Sequence, residues 1–359
     1  MNAAVQPSMQ SRIQGALMGA FVGDALALGP HWYYDLDEMH RDYGAWVDGY
    51  AAPKAGRYHS GLPAGASSQS GYILALTLRS LVEKGGYDEA DFCRRMDEEL
   101  FARMDGTPNS GPGGYTNQSI REGWAGRNAG QPWGQVARLA DNTDAAERII
   151  AIAARYASDA NQIADHVSSN TVLLQRDTTV AAMTTAYGIV LGALMAGASL
   201  DGALSGGLVT AARGGQLRFQ GPTPVDDKPA VAGQFSTPEP LLVASTAARM
   251  ATHPQIHVEP ASSIAQVHGL QCAAYFLLPS SYYLAARFQG NFEQAVLHAV
   301  NGGGQNQSRA VLTGALSGAI GGMEAIPQRF IAGLQQRDEY LALTEKLAQQ
   351  AVAERGQIR

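Results

Sequence analysis

Glycine recurs at every fourth position in three apolar stretches of this chain: Gly15, Gly19 and Gly23; Gly188 and Gly192; Gly314, Gly318 and Gly322. The first stretch carries Ile13, Leu17, Phe21, Leu26 and Leu28 at helical spacing, and Pro30 discourages helix at Gly29. The second lies in the Ala-rich run 180–198, and the third in a run ending at Pro327. A glycine costs a helix roughly 1 kcal/mol relative to alanine. Its repetition on one face therefore implies a return from packing, because a stripe without Cβ atoms lets another helix approach closely. The three stretches come from the beginning, middle and end, and no clear linker divides the chain. We therefore expect an all-α, large single-domain helical bundle with these three helices in mutual contact at its centre.

Composition fits that picture. Of 359 residues, 45% are hydrophobic and only 16% are charged, which suits closely packed helices and excludes a disordered chain. Further helices are expected at 69–84, 88–103, 116–127, 143–157, 159–168, 240–251, 261–275, 281–287, 291–300 and 338–354. Residues 1–10 read as a disordered tail and 11–359 as the domain. Long loops are expected at 44–67, 104–115 and 214–239, the last a mobile flap or plain disorder. Few strand patterns alternate, and no GxGxxG turn joins strand to helix, so a Rossmann fold is a poor match. The net charge is −6 with no basic run, which argues against a nucleic-acid partner. No apolar run of about 18 residues is free of both charge and glycine, so no membrane span is expected. The segment 15–22 faintly resembles a signal peptide, but a single Arg12, three glycines and Asp24 argue against one. Cys93 and Cys272 read as buried free thiols of a reducing compartment, and the expected location is cytoplasmic.

Candidate chemistry gathers at three places. His31-Trp32-Tyr33-Tyr34-Asp35 follows the helix-ending proline and combines stacking surface with acid–base groups. Asp24, among glycines, needs a partner if buried. Gln305-Asn306-Gln307-Ser308-Arg309 follows a glycine run and precedes a helix, an arrangement suited to an anion, with Arg309 as a fixed cation. Gln69, Ser70 and Tyr72 stand at another helix entry and could equally be capping or surface residues. Asp141-Asn142-Thr143-Asp144 and Asp177-Thr178-Thr179 read as helix caps. His253, His257 and His268 fit no ligand spacing, and no HExxH, paired CxxC or GxSxG motif exists.

The segment Gly15-Ala16-Leu17-Met18-Gly19-Ala20-Phe21-Val22-Gly23-Asp24-Ala25-Leu26 resembles the first motif of the ADP-ribosylglycohydrolases. Residues 303–308, 314–319, Gly322 and Ile326-Pro327 are similar to the last motif. Residues 74–86 resemble the helix after the first metal motif, and 184–197 the Ala-rich helix. The resemblance spans nearly the whole chain and implies that family's helical fold. It also implies two magnesium ions on carboxylates, but this chain departs from the pattern there. Where the family has Thr-Asp-Asp-Thr it has Ser68, Gln69, Ser70 and Gly71, and where the family closes with Asp-Thr-Asp-Thr it has Gln305, Asn306, Gln307 and Ser308. A further acidic position falls near His31. Neutral oxygens supply too little charge for two adjacent dications. The substitutes resemble a divergent branch near the lens crystallins of this fold.

The resemblance and the residues together suggest a metal-independent or metal-altered enzyme acting on a glycosidic bond of a ribose- or nucleotide-containing small molecule, possessing no cofactor. Asp24, His31 and Asp35 are its candidate catalytic groups, with Asp37 as a further nearby acid. Trp32, Tyr34, Gln69, Ser70, Tyr72, Gln305, Asn306, Gln307 and Arg309 are the candidate ligand contacts, converging on one cleft. A non-catalytic binding or crystallin-like structural protein is the alternative, and a lyase or transferase in a remodelled pocket a further one.

Overall fold

The structure, a computed structural model, describes residues 6–219 and 238–357, with side chains as far as Glu354. Most of the expected 214–239 loop, and residues 1–5 of the expected tail, lie outside the described residues. The Ser8 hydroxyl accepts from the Ser11 amide at 3.1 Å and starts a helix at Met9 that runs to Ala27. Nearly every side chain from Ser11 onward in this helix is buried, so it forms the axis of the bundle.

Its glycine stripe meets the helix Asn306–Gly321 head to tail. Gly15 faces Gly318, Gly19 faces Gly314, and Gly23 faces Ala310. A Cβ built at any of the three would lie within 3 Å of a backbone carbonyl of the other helix. The two backbones thus touch with no side chains between them. The middle glycine stretch behaves differently. Gly188 and Gly192, on the helix Thr178–Met195, face Val167 and Ile163 side chains of the helix Ala160–Val172. That pair makes room for branched side chains; the helix Thr178–Met195 does touch both seam helices, as expected, but the glycine-to-glycine approach is confined to those two.

Around the seam the regular elements are helices, and among the described residues no extended strand forms. The helix Gln69–Lys84 has the expected bounds, capped by Ser68 and ended by Gly85 in the left-handed region. The expected 88–103 helix changes character at Met96–Leu100, where it winds as a π-helix, and then ends in a 3-10 turn. The expected 261–275 helix is cut short at His268 by Gly269, whose φ is +136°. The next helix instead begins at Ala274 and accommodates Pro279 inside it. Three short helices were not expected: Leu36–Tyr43, Leu204–Arg213 and Gln328–Gly333. The helix Thr178–Met195 is long and apolar enough to cross a bilayer, but 83% of it is buried inside the bundle. Both cysteines are free thiols, Cys93 buried and Cys272 half-buried.

Candidate functional site

The head-to-tail seam decides where the polar residues meet. Because Gly23 lies at the level of Ala310, the end of the opening helix sits beside the start of the helix Asn306–Gly321. An isolated antiparallel bridge between Tyr33 and Gly304, with the Gly304 amide donating to the Tyr33 carbonyl at 2.6 Å, ties the following loop to the closing motif. The start of the helix Gln69–Lys84 completes the junction. Two helix N-termini, each favourable to negative charge, therefore converge on Asp24.

Asp24 is buried among neutral donors. The Ser68 amide donates to it at 2.9 Å, the Gln307 side-chain amide at 2.7 Å, and the Ser68 hydroxyl also donates. Burial pushes its pKa up to about 6, against the lowering effect of the Ser68, Gln307 and Ser67 hydrogen bonds. A second buried carboxyl, Glu147, lies on the helix Asp144–Arg148. Thr143 donates to its Oε1 at 2.7 Å, while Oε2 is buried with no aligned partner. Burial, then the neighbouring Asp144, raises Glu147 to about 7; the Ser308, Thr143 and Ser70 hydroxyls act the other way. Asp144 is also raised by burial and accepts from Asn117 at 2.5 Å and from Ser119.

His31 is buried and forms a chain with His59. The His31 Nδ1 lies 2.7 Å from His59 Nε2, and His59 Nδ1 lies 2.6 Å from the Gly113 carbonyl. A carbonyl only accepts, so His59 carries its hydrogen on Nδ1 and accepts on Nε2 from His31. Burial depresses both histidines, His59 to about 4 and His31 further with the help of its neighbour. A neutral His31 then presents a lone pair at Nε2 to the Gln305 amide, 3.0 Å away. The amide therefore turns its NH2 to His31 and its carbonyl to the Ser308 hydroxyl, 2.9 Å away on its other side.

Aromatic rings cover this chamber. Trp32, with φ of +67°, stacks on His31 at 5.4 Å, and its other neighbours are Tyr58 at 4.7 Å and Tyr115 at 4.8 Å. Its indole N–H donates to the Tyr34 hydroxyl at 2.7 Å, and Tyr34 is 48% exposed. Beside the chamber is a cavity of about 550 Å³, lined in part by Ser67, Tyr72, Arg79, Arg103, Gly113 and Tyr340. Ser67 shares a 2.8 Å hydrogen bond with Tyr340 and packs with Asp24 around Gly71, so it stands between cavity and carboxyl. Arg79 is paired with Glu99 and Glu339, whereas Arg103 donates to the Tyr72 hydroxyl at 3.3 Å.

Asp24, His31, Gln305 and Gln307 thus stand together in the chamber, with Ser70 at its edge and Trp32 and Tyr34 above. Gln69 is buried beside it, donating to Thr116 at 2.9 Å. Four candidates are placed elsewhere. Asp35 is exposed and caps the helix Leu36–Tyr43, accepting from the Asp37 and Glu38 amides, so its carboxylate is spent on the backbone and Asp37 follows it on the surface. Arg309 is fully buried and turns back past the start of its helix to donate to the Ala299 carbonyl of the preceding helix Phe292–Val300 at 3.1 Å and to the Gly303 carbonyl of the intervening loop. Burial lowers it to about 9, and its two donated hydrogen bonds close the turn ahead of its helix. Asn306 donates to the Pro30 and Val300 carbonyls at 2.9 and 3.0 Å and pins the loop. Tyr72 faces the 550 Å³ cavity and donates to the Glu99 carbonyl at 3.2 Å. His59, Glu147, Tyr58 and Tyr115 belong to the site although no motif marked them. For Glu147 there was a signal: Glu147-Arg148 interrupts the apolar run Ala145-Ala146 and Ile149-Ile150.

The family resemblance implies a pair of magnesium ions at this junction, and the donors do not fit it. The helix starts contribute hydroxyls and amides, and the Gln307 N–H points at Asp24 where a cation would have to lie. Among the described residues no three His, Cys, Asp or Glu side chains cluster as a metal site.

Comparison with known proteins gives a consistent family. The profile of the family described as ADP-ribosylglycohydrolase matches residues 5–356. A solved structure described as an ADP-ribosylglycohydrolase-related protein complex is 18% identical and superposes with a TM-score of 0.63, covering 96% of this chain and 99% of the other. Among curated proteins none matches the chain.

Proposed function

Since the chain belongs to the ADP-ribosylglycohydrolase family, we propose that it hydrolyses a glycosidic bond in a ribose- or nucleotide-containing small molecule without the family's metal pair. The observation that carries the reading is the environment of Asp24. Its carboxyl sits at two helix starts, held by neutral donors, with a pKa of about 6. A carboxyl in that range exchanges protons near neutrality and, when ionised, stabilises positive charge developing on a sugar ring. The adjacent 550 Å³ cavity is of the size that takes a nucleoside or sugar phosphate, and Arg103 supplies a cation in its wall. On this reading the ligand enters there and displaces the Ser67–Tyr340 hydrogen bond to reach Asp24.

The test is incubation with ADP-ribose, NAD, nucleosides and simple glycosides, with and without EDTA, followed by chromatography of released base or sugar. We expect turnover of at least one compound, unchanged by EDTA and reduced about 100-fold or more by Asp24→Asn. A panel that stays intact would refute hydrolysis.

One observation favours a second reading, a ligand-binding or structural protein without turnover. His31, His59, Gln305 and Ser308 complete one another's hydrogen bonds beneath Trp32. A chamber satisfied without ligand is what a structural role requires. On that reading a compound from the same panel raises the melting temperature and leaves the incubation chemically unchanged.

A further inference from the structure

We propose that Glu147 is the second working carboxyl of this chamber, the group that gives a proton to the leaving atom while Asp24 receives one from water. The inference rests on the hydrolytic reading above and adds to it a residue outside the family-like motifs.

The geometry is a division of labour between two helix starts. From the start of the helix Gln69–Lys84, Ser68 bonds Asp24, and the Ser70 hydroxyl neighbours Glu147. From the start of the helix Asn306–Gly321, Gln307 bonds Asp24, and the Ser308 hydroxyl neighbours Glu147; the helix Asp144–Arg148 packs against both of these helices. The two carboxyls therefore share one junction and come from opposite sides of it, on the opening helix and the helix Asp144–Arg148. Glu147 is 1% exposed, and its Oε2 has no aligned partner. A buried carboxyl oxygen left unmet is costly, and the surrounding run of alanine and isoleucine shows that an apolar side chain suits the helix. The next residue does not neutralise it: Arg148 donates through Nε and Nη2 to Asn170 at 2.8 and 3.1 Å.

The charged and titratable groups around Glu147 are Asp144 and Arg148 on its own helix, Tyr187 on the Thr178–Met195 helix and Cys272. Burial raises both carboxyls, and the neighbouring Asp144 raises Glu147 further, so Glu147 is the one of the two that keeps its proton toward neutrality. In the step itself, water adds its oxygen to the anomeric carbon and passes a proton to Asp24. The bond from that carbon to the leaving oxygen or nitrogen breaks, and the leaving atom keeps the electron pair and takes the Glu147 proton. Both carboxyls exchange protons with solvent before the next turn.

The test uses the full chain with methyl and 4-nitrophenyl β-ribofuranosides beside the nucleotide panel. An alkoxide needs a proton to leave, and a nitrophenolate does not. We expect Glu147→Gln to lower kcat on the methyl glycoside about 100-fold or more while changing the nitrophenyl glycoside less than about 3-fold. Unmodified protein should show a falling limb near pH 7 with the methyl glycoside that is absent with the nitrophenyl one. This profile needs no variant and so decides the matter even where Glu147→Gln fails to fold. Equal losses on both glycosides, or one pH profile for both, would overturn the role of Glu147 while leaving hydrolysis in place. Turnover of panel compounds with both ribosides untouched sends the same comparison to a panel pair differing in leaving group, with the same two outcomes. An inert wild type across ribosides and panel overturns hydrolysis and this inference together.

Discussion

Replacing glycine by alanine at three helical positions should give three different results, because the added methyl meets three different surroundings. At Gly318 the new Cβ would collide with the Gly15 carbonyl and lie 2.9 Å from the Ala16 amide nitrogen. These are backbone atoms of the axial helix and cannot swing aside, so the helices must part by about 1 Å along a seam filled by contact alone. Overpacking of that kind costs about 1–3 kcal/mol, and the separation also weakens the contacts at Gly19 and Gly23; alanine's better helix propensity returns roughly 1 kcal/mol. We expect Gly318→Ala to lose about 2 kcal/mol or more. At Gly192 the methyl meets the Ile163 Cδ1, the end of a side chain with other rotamers, and the two effects should nearly cancel. At Gly206, on the helix Leu204–Arg213, nothing lies within 4 Å, and Gly206→Ala should gain about 0.5–1 kcal/mol. Urea unfolding followed by far-ultraviolet circular dichroism measures all three on one scale. A Gly318→Ala protein as stable as wild type, or one ranking above Gly192→Ala, would show that the seam is not a backbone contact.

Other outcomes follow from the chamber. Glu147 titrates near 7 when folded against an ordinary 4.5, so the folded state holds its proton more tightly. Its stabilising contribution is complete below about pH 4.5 and is lost as pH rises through 7, by about 3 kcal/mol. His59 works in the opposite sense, its contribution being lost as pH falls from 6.5 through about 4. Urea midpoints from pH 5 to 8 should therefore fall less steeply for Glu147→Gln than for wild type, and parallel curves would contradict the burial of that carboxyl. Arg309→Met should cost about 2–4 kcal/mol by leaving the Ala299 and Gly303 carbonyls without donors. A stable Arg309→Met protein that loses only anion binding would return Arg309 to the cleft. Calorimetric titration with magnesium should give no tight, saturable heat at the junction, and two-site binding abolished by Gln305→Ala would refute the donor argument.

What could be read from the sequence was whatever periodicity or a terminator announces. The glycine interval marked the Gly15–Gly318 seam, and the apolar spacing over 69–84 marked one helix from end to end. The interval could not say what each glycine faces, and the Gly188–Gly192 pair faces isoleucine and valine. Leu204–Arg213 went unseen because Gly206 and Gly207 are poor helix formers on an exposed face. Within the site, Asp24 and the Gln305–Ser308 turn were legible because they stand in motif-like positions. Their pairing across the chain depends on the antiparallel register of two helices, which no local pattern encodes. Asp35 and Arg309 were misplaced for a common reason: a charged residue beside a helix end is as easily consumed by backbone groups as offered to a ligand. His59 sits in a long irregular loop and Glu147 inside an apolar helix, where neither neighbours nor spacing point to the chamber.

The seam also sets a timetable for synthesis. Asp24 and Gln307 are separated by 283 positions, yet each half of the axial contact needs the other to cover its bare backbone. At roughly 5–20 residues per second, a ribosome leaves the opening helix waiting tens of seconds for its partner. During that interval a largely apolar helix with a glycine face is present without its cover. The bundle cannot mature from its first half outward, and the chamber is assembled last. Such a chain should depend on holding chaperones in proportion to its elongation time, and slowing translation ahead of residue 306 should lower its soluble yield more than slowing it afterwards.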